Sequence, residues 1–470
     1  MKAVLVSTYE LGHQPFGLAS PAAWFQNAGI ETCCFDLSLE QIEKSAVQAA
    51  DFVGFYLPMH TATRIAVPVI AAVREMNPTA HLCAFGLYAP MNSQYLRRLG
   101  IDSIVGGEFE GELVNTALQS GSVTRANGPD NSVAGKEIHI TKQQFQRPSR
   151  QGLPALAQYA HLTMPDGSRR TVGYTEASRG CKHRCRHCPI VPVYNGRFVI
   201  VQRDVVLADI DQQIKSGAQH ITFGDPDFFN GTGHAIKIVR ALHEMWPDIT
   251  YDVTIKVEHL VKNARHLPVL KETGCLFVIS AVESVDDAIL ENLDKGHTRE
   301  DFYQAVALCR KFRLGLNPTF VAFTPWITLE GYQDLLKTLV ELDLVESVAP
   351  VQLAIRLLIP NGSRALELES VQKVIGSFDE ASLCYPWKNP YPRVDELQLR
   401  VEEIVENSSA TDMSRLQVFE KIWQVTEQAM GNSKPAALDL TTQSENTLPY
   451  LSEPWYCCAE PTKQQLEAFM

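Results

Sequence analysis

The chain has 470 residues, 45% of them hydrophobic and 20% charged, an ordinary globular composition with material for about three folded units. Against 54 Asp and Glu stand 42 Lys and Arg, a formal charge of -12, and that excess of acid excludes a nucleic-acid binder held by phosphate neutralisation. No apolar run approaches the ~20 residues a bilayer crossing needs, and the opening MKAVLVSTYELGHQP does not read as a signal peptide, so a cytoplasmic protein with no membrane partner is expected.

In chain order, KAVLVST reads as a strand, SPAAWFQNAG as a helix closed by Gly29, and ETCCFDL and DFVGFYL as further strands. PVIAAVREMNP then reads as a helix, HLCAFGL as a strand, and DSIVGGEFEGELVNTALQS as a short strand leading into a helix. Buried strands alternating with amphipathic helices predict a parallel, Rossmann-like α/β domain over 1–140, with a polar connection near 121–165. Gly106, Gly107, Glu108 and Glu110 fall at a strand-to-helix turn, where such sheets place ligands.

A second alternation starts near Gly173. HITFG, YDVTIKV, CLFVISAVE, LNPTFVAFTP and PVQLAIRLL read as buried strands separated by helices. Repeated β-then-α units predict a partial (β/α)6 barrel over 165–370, with functional groups at the C-terminal strand ends. Residues 371–470 are expected to be irregular around Pro386, Pro390 and Pro392 and helical over VDELQLRVEEIVEN and SRLQVFEKIWQVTEQAM, then to end in a polar tail with the island LPYLSEPWYCCAEP.

Eleven cysteines need a reason. In a reducing compartment disulfides are disfavoured, so clustered cysteines point to metal or redox chemistry. Cys83, Cys275 and Cys309 lie in apolar runs and read as small buried hydrophobes; Cys33 and Cys34 read as one inward and one outward residue of a strand. Two clusters remain. Cys181, Cys185 and Cys188 follow the first barrel strand in a C-x3-C-x2-C spacing, three thiolates on one compact loop that suit three irons of a cubane. The competing reading is a structural zinc site completed by His183 or His187, in a non-catalytic metal-binding protein. Cys457 and Cys458 are adjacent in the tail; such a pair suits a redox role, a fourth cluster ligand or a soft metalloid better than a strained vicinal disulfide.

The stretch GYTEASRGCKHRCRHCPIV, with ITFGDPDFF and ISAVESVDDAILENLDKGHTREDF after it, resembles the radical S-adenosylmethionine (radical SAM) superfamily over about 171–365. The resemblance implies a [4Fe–4S] cluster on Cys181, Cys185 and Cys188, with SAM chelating the open iron. It also implies His187 near the adenine, Gly224 and Asp225 in the segment that meets the SAM amino group, and Glu283 and Ser284 against the ribose or amino acid part. An electron donor such as flavodoxin or ferredoxin is implied as partner. The front domain resembles the cobalamin-binding-like domain found before many such cores, but the Asp-x-His-x-x-Gly signature is absent, since His13 has no Asp two residues before it. That leaves either a corrinoid without a protein ligand or an empty scaffold.

The tail Cys457-Cys458-Ala459-Glu460-Pro461 resembles a subgroup marked by a Cys-Cys-Ala-Glu-Pro or selenocysteine-Cys-Ala-Glu-Pro ending, which includes the radical SAM enzymes of arsinothricin biosynthesis. It implies that SAM donates its 3-amino-3-carboxypropyl group to arsenic(III), supplied as arsenite and held by Cys457 and Cys458, giving hydroxyarsinothricin. Cobalamin-assisted methyl transfer to a small organic substrate is the alternative within the superfamily.

Overall fold

The structure, a computed structural model, describes residues 1–120, 136–409, 411, 413–432 and 448–453. The front part is a sheet of β1 (Lys2–Ser7), β2 (Glu31–Asp36), β3 (Phe52–Tyr56), β4 (His81–Phe85), β5 (Ser103–Gly107) and β6 (Ile138–His139), in the order β2-β1-β3-β4-β5-β6. Every pairing is parallel. Alternate side chains of β1, β3, β4 and β5 enter two separate cores. Val4, Val6, Val53 and Phe55 join Ile70 and Val73 of the helix His60–Met76 on one face. Ala3, Leu5 and Phe52 join Leu18 and Phe25 of the helix Phe16–Asn27 on the other. A strand covered on both faces has no polar side to show, which is why these segments read as continuous apolar runs. Each such buried Val, Leu or Phe contributes roughly 1.5–3 kcal/mol.

The second sheet contains β7 (His161–Thr163), β8 (Arg169–Thr175), β11 (His220–Phe223), β12 (Thr250–Thr254), β13 (Cys275–Glu283), β14 (Gly315–Phe320) and β15 (Tyr450–Leu451). A small ribbon of β9 (Ser178–Gly180) and β10 (Phe198–Ile200) stands beside it. The order is β14-β13-β12-β11-β8-β7-β15, parallel from β8 to β14 and antiparallel at β7 and β15. The expected mixed α/β class with a partial barrel holds. Its sixth position is short: Pro350–Leu353 forms a 3-10 turn, and residues 355–357 continue the arc only by pairing with Phe323. Proline lacks the ladder N–H, which shortens the strand expected from PVQLAIRLL.

Two features were not expected. The connection near 121–165 supplies β6 to the front sheet and β7 to the second. The helices Pro392–Ser409 and Arg415–Ala429 bury Val394, Leu397, Phe419 and Ile422 in the same core as the barrel. Cys83, Cys275 and Cys309 are buried, while Cys33 is exposed and Cys34 half-buried. Among the described residues no helix is long and apolar enough to cross a membrane. Cys457 and Cys458, with residues 433–447 of the polar tail before them, lie outside the described residues.

Candidate active site

The C-terminal strand ends of both sheets face one cavity of about 240 Å³, whose lining includes Tyr56 and Gly107 from the front sheet and Tyr174, Cys188, Asp225 and Ile279 from the second. The cysteine loop leaves β9 at its margin. Gly180, at φ 75°, permits the turn into the loop; a Cβ there would lie 2.4 Å from the Tyr194 ring. Lys182 N–H donates to Asn230 Oδ1 at 3.1 Å. Arg186 N–H donates to Leu293 O at 2.8 Å, and its guanidinium to the carbonyls of Glu291 and Asn292, which ties the loop to the turn after β13.

Cys181 and Cys185 are buried and Cys188 is half-buried. Burial, with the Asp227 charge second, pushes the Cys181 thiol up to about 11. Lys256 Nζ stands 3.8 Å from Cys185 Sγ and donates to Lys295 O at 2.7 Å. Two buried lysines beside a three-cysteine loop suit an anionic iron–sulfur group, so the residues fit a cluster. The histidines that would complete a cysteine–zinc site are engaged elsewhere: His187 Nε2 meets Glu283 at 3.1 Å, and His183 faces Asp227 and Glu258.

Glu283 ends β13 at a register shift, in left-handed backbone at φ 69°. For a residue with a Cβ that conformation costs about 1–2 kcal/mol. Its buried Oε1 accepts from Lys295 Nζ at 3.2 Å and lies 3.1 Å from His187 Nε2. Burial opposes ionisation here, but Lys295 and then His187 overcome it and hold the Glu283 carboxyl at about 2. His187 Nδ1 is buried with no hydrogen-bond partner among the described residues. Buried polar atoms of this kind ordinarily have partners, and this one, on a ring beside a buried carboxylate and near two lysines, fits a polar cofactor such as SAM. Ser284 is buried and its Oγ accepts from Asp286 N–H at 3.1 Å.

Gly224 and Asp225 both line the cavity, with structural tasks as well. A Cβ on Gly224 would fall 1.8 Å from the Tyr174 hydroxyl, so the glycine makes room for that ring. Asp225 accepts from Ala177 N–H at 2.8 Å and Ser178 Oγ at 2.5 Å, clamping the turn from β8 to β9; burial pushes its carboxyl up to about 7.

Glu108 and Glu110 serve a task their turn did not announce. Arg179 of β9 is buried and lies 3.4 Å from Glu108, 2.6 Å from Glu110 and 2.6 Å from Glu176. The ion pairs bolt the front sheet to the barrel at the cavity.

β15 reaches this cavity from the other side. Leu451 and Glu453 line it, and the Tyr9 hydroxyl donates to Glu453. The Tyr9–Glu453 contact was not legible, because it joins residues 444 positions apart in sequence.

Comparison with known proteins bears on the domain and the fold. Residues 175–339 match the Radical SAM superfamily. An uncharacterised methyltransferase of Pyrococcus horikoshii is 27% identical over 173 residues, 37% of either chain. The bacteriochlorophyllide d C-8(2)-methyltransferase of Chlorobaculum tepidum is 26% identical over 202 residues, 39% of this chain and 42% of the relative. The chain thus aligns with about two fifths of the length of these curated relatives. Among solved structures, the cobalamin-dependent SAM radical enzyme OxsB superposes with a TM-score of 0.67 at 14% identity, over 87% of this chain and 67% of that one. The radical SAM methyltransferase TsrM of Kitasatospora setae gives 0.62 at 15% identity, over 90% and 88%. Both likenesses are of fold.

Proposed function

For a chain that carries a radical SAM domain over residues 175–339, we propose transfer of the 3-amino-3-carboxypropyl group of SAM to arsenic(III). When bound on Cys181, Cys185 and Cys188, the cluster with SAM supplies one-electron cleavage of a sulfonium C–S bond. The net reaction converts SAM and arsenous acid to methylthioadenosine, an aminocarboxypropyl arsonate and a proton. The electron that starts cleavage is recovered as arsenic passes from the trivalent to the pentavalent state.

The observation that carries this reading is the anchoring of the tail stem. Tyr450–Leu451 pairs with β7, and Leu451 and Glu453 line the cavity beside Cys188. Cys457 and Cys458 follow Glu453 by four and five positions, so an extended chain carries them at most roughly 14–17 Å from that rim. Thiolates prefer soft acceptors, and trivalent arsenic is one. The roles of the remaining residues follow from their settings. Lys256 and Lys295 neutralise charge behind the cysteine loop, Glu283 and His187 orient the bound nucleoside part, and Arg179 with its acids keeps the two sheets closed against water.

Cobalamin-assisted methyl transfer is the second reading, favoured by the fold shared with OxsB and TsrM. Anaerobic turnover with SAM, with and without arsenite, separates them. Arsenite-dependent methylthioadenosine supports aminocarboxypropyl transfer; S-adenosylhomocysteine formed without any dependence on arsenite supports the methyltransferase.

A further inference from the structure

Beside the cysteine loop lies a second cluster of metal-type ligands. His183 sits within the loop, Asp227 in the turn after β11, and His259 in the helix Val257–Lys262. Asp227 is fully buried; its Oδ1 caps the following 3-10 turn by accepting from Phe229 N–H at 3.2 Å. That leaves Oδ2 facing His259 Nδ1 at 2.6 Å and His183 Nε2 at 3.6 Å. All three atoms are buried with no hydrogen-bond partner among the described residues. They lie within 4.8 Å of one another. Their contacts with one another do not have hydrogen-bond geometry, and one ion would satisfy all three together.

We propose that His183, Asp227 and His259 bind a divalent first-row metal ion, zinc by the character of the donors, at a site separate from the three cysteines. Two imidazoles and one carboxylate are a common donor set for such an ion, with a fourth position open to water. Glu258 Oε2 stands 3.5 Å from His183 Nδ1, the carboxylate–histidine relay that fixes a ligand imidazole with its other nitrogen toward the metal. An ion has a way in, since His259 also borders an open hollow with Lys182 and Asn230. A filled tetrahedral site spaces its donors by roughly 3.4 Å; the 3.6 Å between His183 and Asp227 is close to that, and binding would widen the 2.6 Å Asp227–His259 contact by about 0.8 Å. The bound ion would staple the cysteine loop to the ends of β11 and β12.

The test uses the full chain with its cluster reconstituted, equilibrated with one equivalent of Zn²⁺, desalted and measured for iron and zinc by mass spectrometry. About one zinc per chain is expected beside the cluster iron. His259→Ala and Asp227→Asn should each weaken zinc binding at least 10-fold with iron unchanged, and Glu258→Gln should weaken it by about 10-fold. His259 and Asp227 stand on other elements than the cysteines, so they decide the matter even if His183→Ala disturbs the cluster. Cobalt(II) gives a second reading through a visible ligand-field band that His259→Ala abolishes. A wild-type protein that retains no zinc overturns the proposal, as does a His259→Ala protein that retains it fully; the His259–Asp227 contact is then only an ion pair. Neither SAM nor arsenite enters the assay, so its result is independent of the proposed reaction.

Discussion

Glu283 Oε1 lies 3.1 Å from Nε2 of His187, joining the C-terminal end of β13 to the residue just before the third cysteine of the loop. Lys295 completes the contact from the next turn. The carboxylate thus holds the loop through His187, whose other ring nitrogen is buried with no hydrogen-bond partner among the described residues. Glu283→Gln keeps the shape and removes the charge, so SAM affinity is expected to fall by roughly 1.5–3 kcal/mol, about 10- to 150-fold. Calorimetric titration of the cluster-loaded protein measures it. Unchanged affinity would remove Glu283 from the SAM site.

Each cysteine of the loop is expected to hold its own iron. Cys181→Ala, Cys185→Ala and Cys188→Ala should each lose reductive SAM cleavage and most of the brown absorbance of the reconstituted protein. A single variant with a full cluster and normal turnover contradicts the assignment.

Arg179 is buried among Glu108, Glu110 and Glu176 at the contact of the two sheets. Arg179→Ala leaves those acids buried without their cation, which costs about 3–5 kcal/mol. Urea denaturation should show this as a lowered midpoint, and the loss should shrink when Glu110→Gln is added. Equal midpoints for wild type and Arg179→Ala would mean that the network contributes nothing.

Burial holds two histidines of the front part neutral: desolvation lowers both His13 and His60 from 6.5 to about 4. Because their folded values are depressed, the unfolded chain takes up protons first as pH falls. Stability from this source is complete above about pH 6.5 and drains away between there and pH 4. Melting temperatures from pH 7.5 to 5 should decline, and His60→Asn should flatten the slope. A slope unaffected by the substitution would show that His60 does not titrate with unfolding.

The β/α alternation could be read from the sequence because strands buried on both faces are apolar throughout; CLFVISAVE is β13 residue for residue. The cysteine loop was legible for another reason, since its spacing is local. What stayed hidden is relational. Glu108 and Glu110 read as a ligand turn because nothing near them in sequence reveals Arg179. Lys256, one residue before a helix, looks like a surface charge until the fold sets it 3.8 Å from Cys185. His183, Asp227 and His259 come from three separate segments, and no spacing rule unites them. Gly224 was read as a cofactor contact, while its nearest need is room for Tyr174.

The account turns on the tail. Cys457→Ser and Cys458→Ser replace soft thiolates by hard, protonated hydroxyls that do not hold arsenic(III). The decisive measurement is arsenite-dependent formation of methylthioadenosine and an aminocarboxypropyl–arsenic product by wild type, the two serine variants and a chain ending at Pro454, quantified by mass spectrometry. Wild type is expected to form both in equal amounts. The three altered proteins should form no arsenic product while keeping cluster and SAM binding. An arsenic product at the wild-type rate from the truncated chain, or none from wild type, would contradict the account.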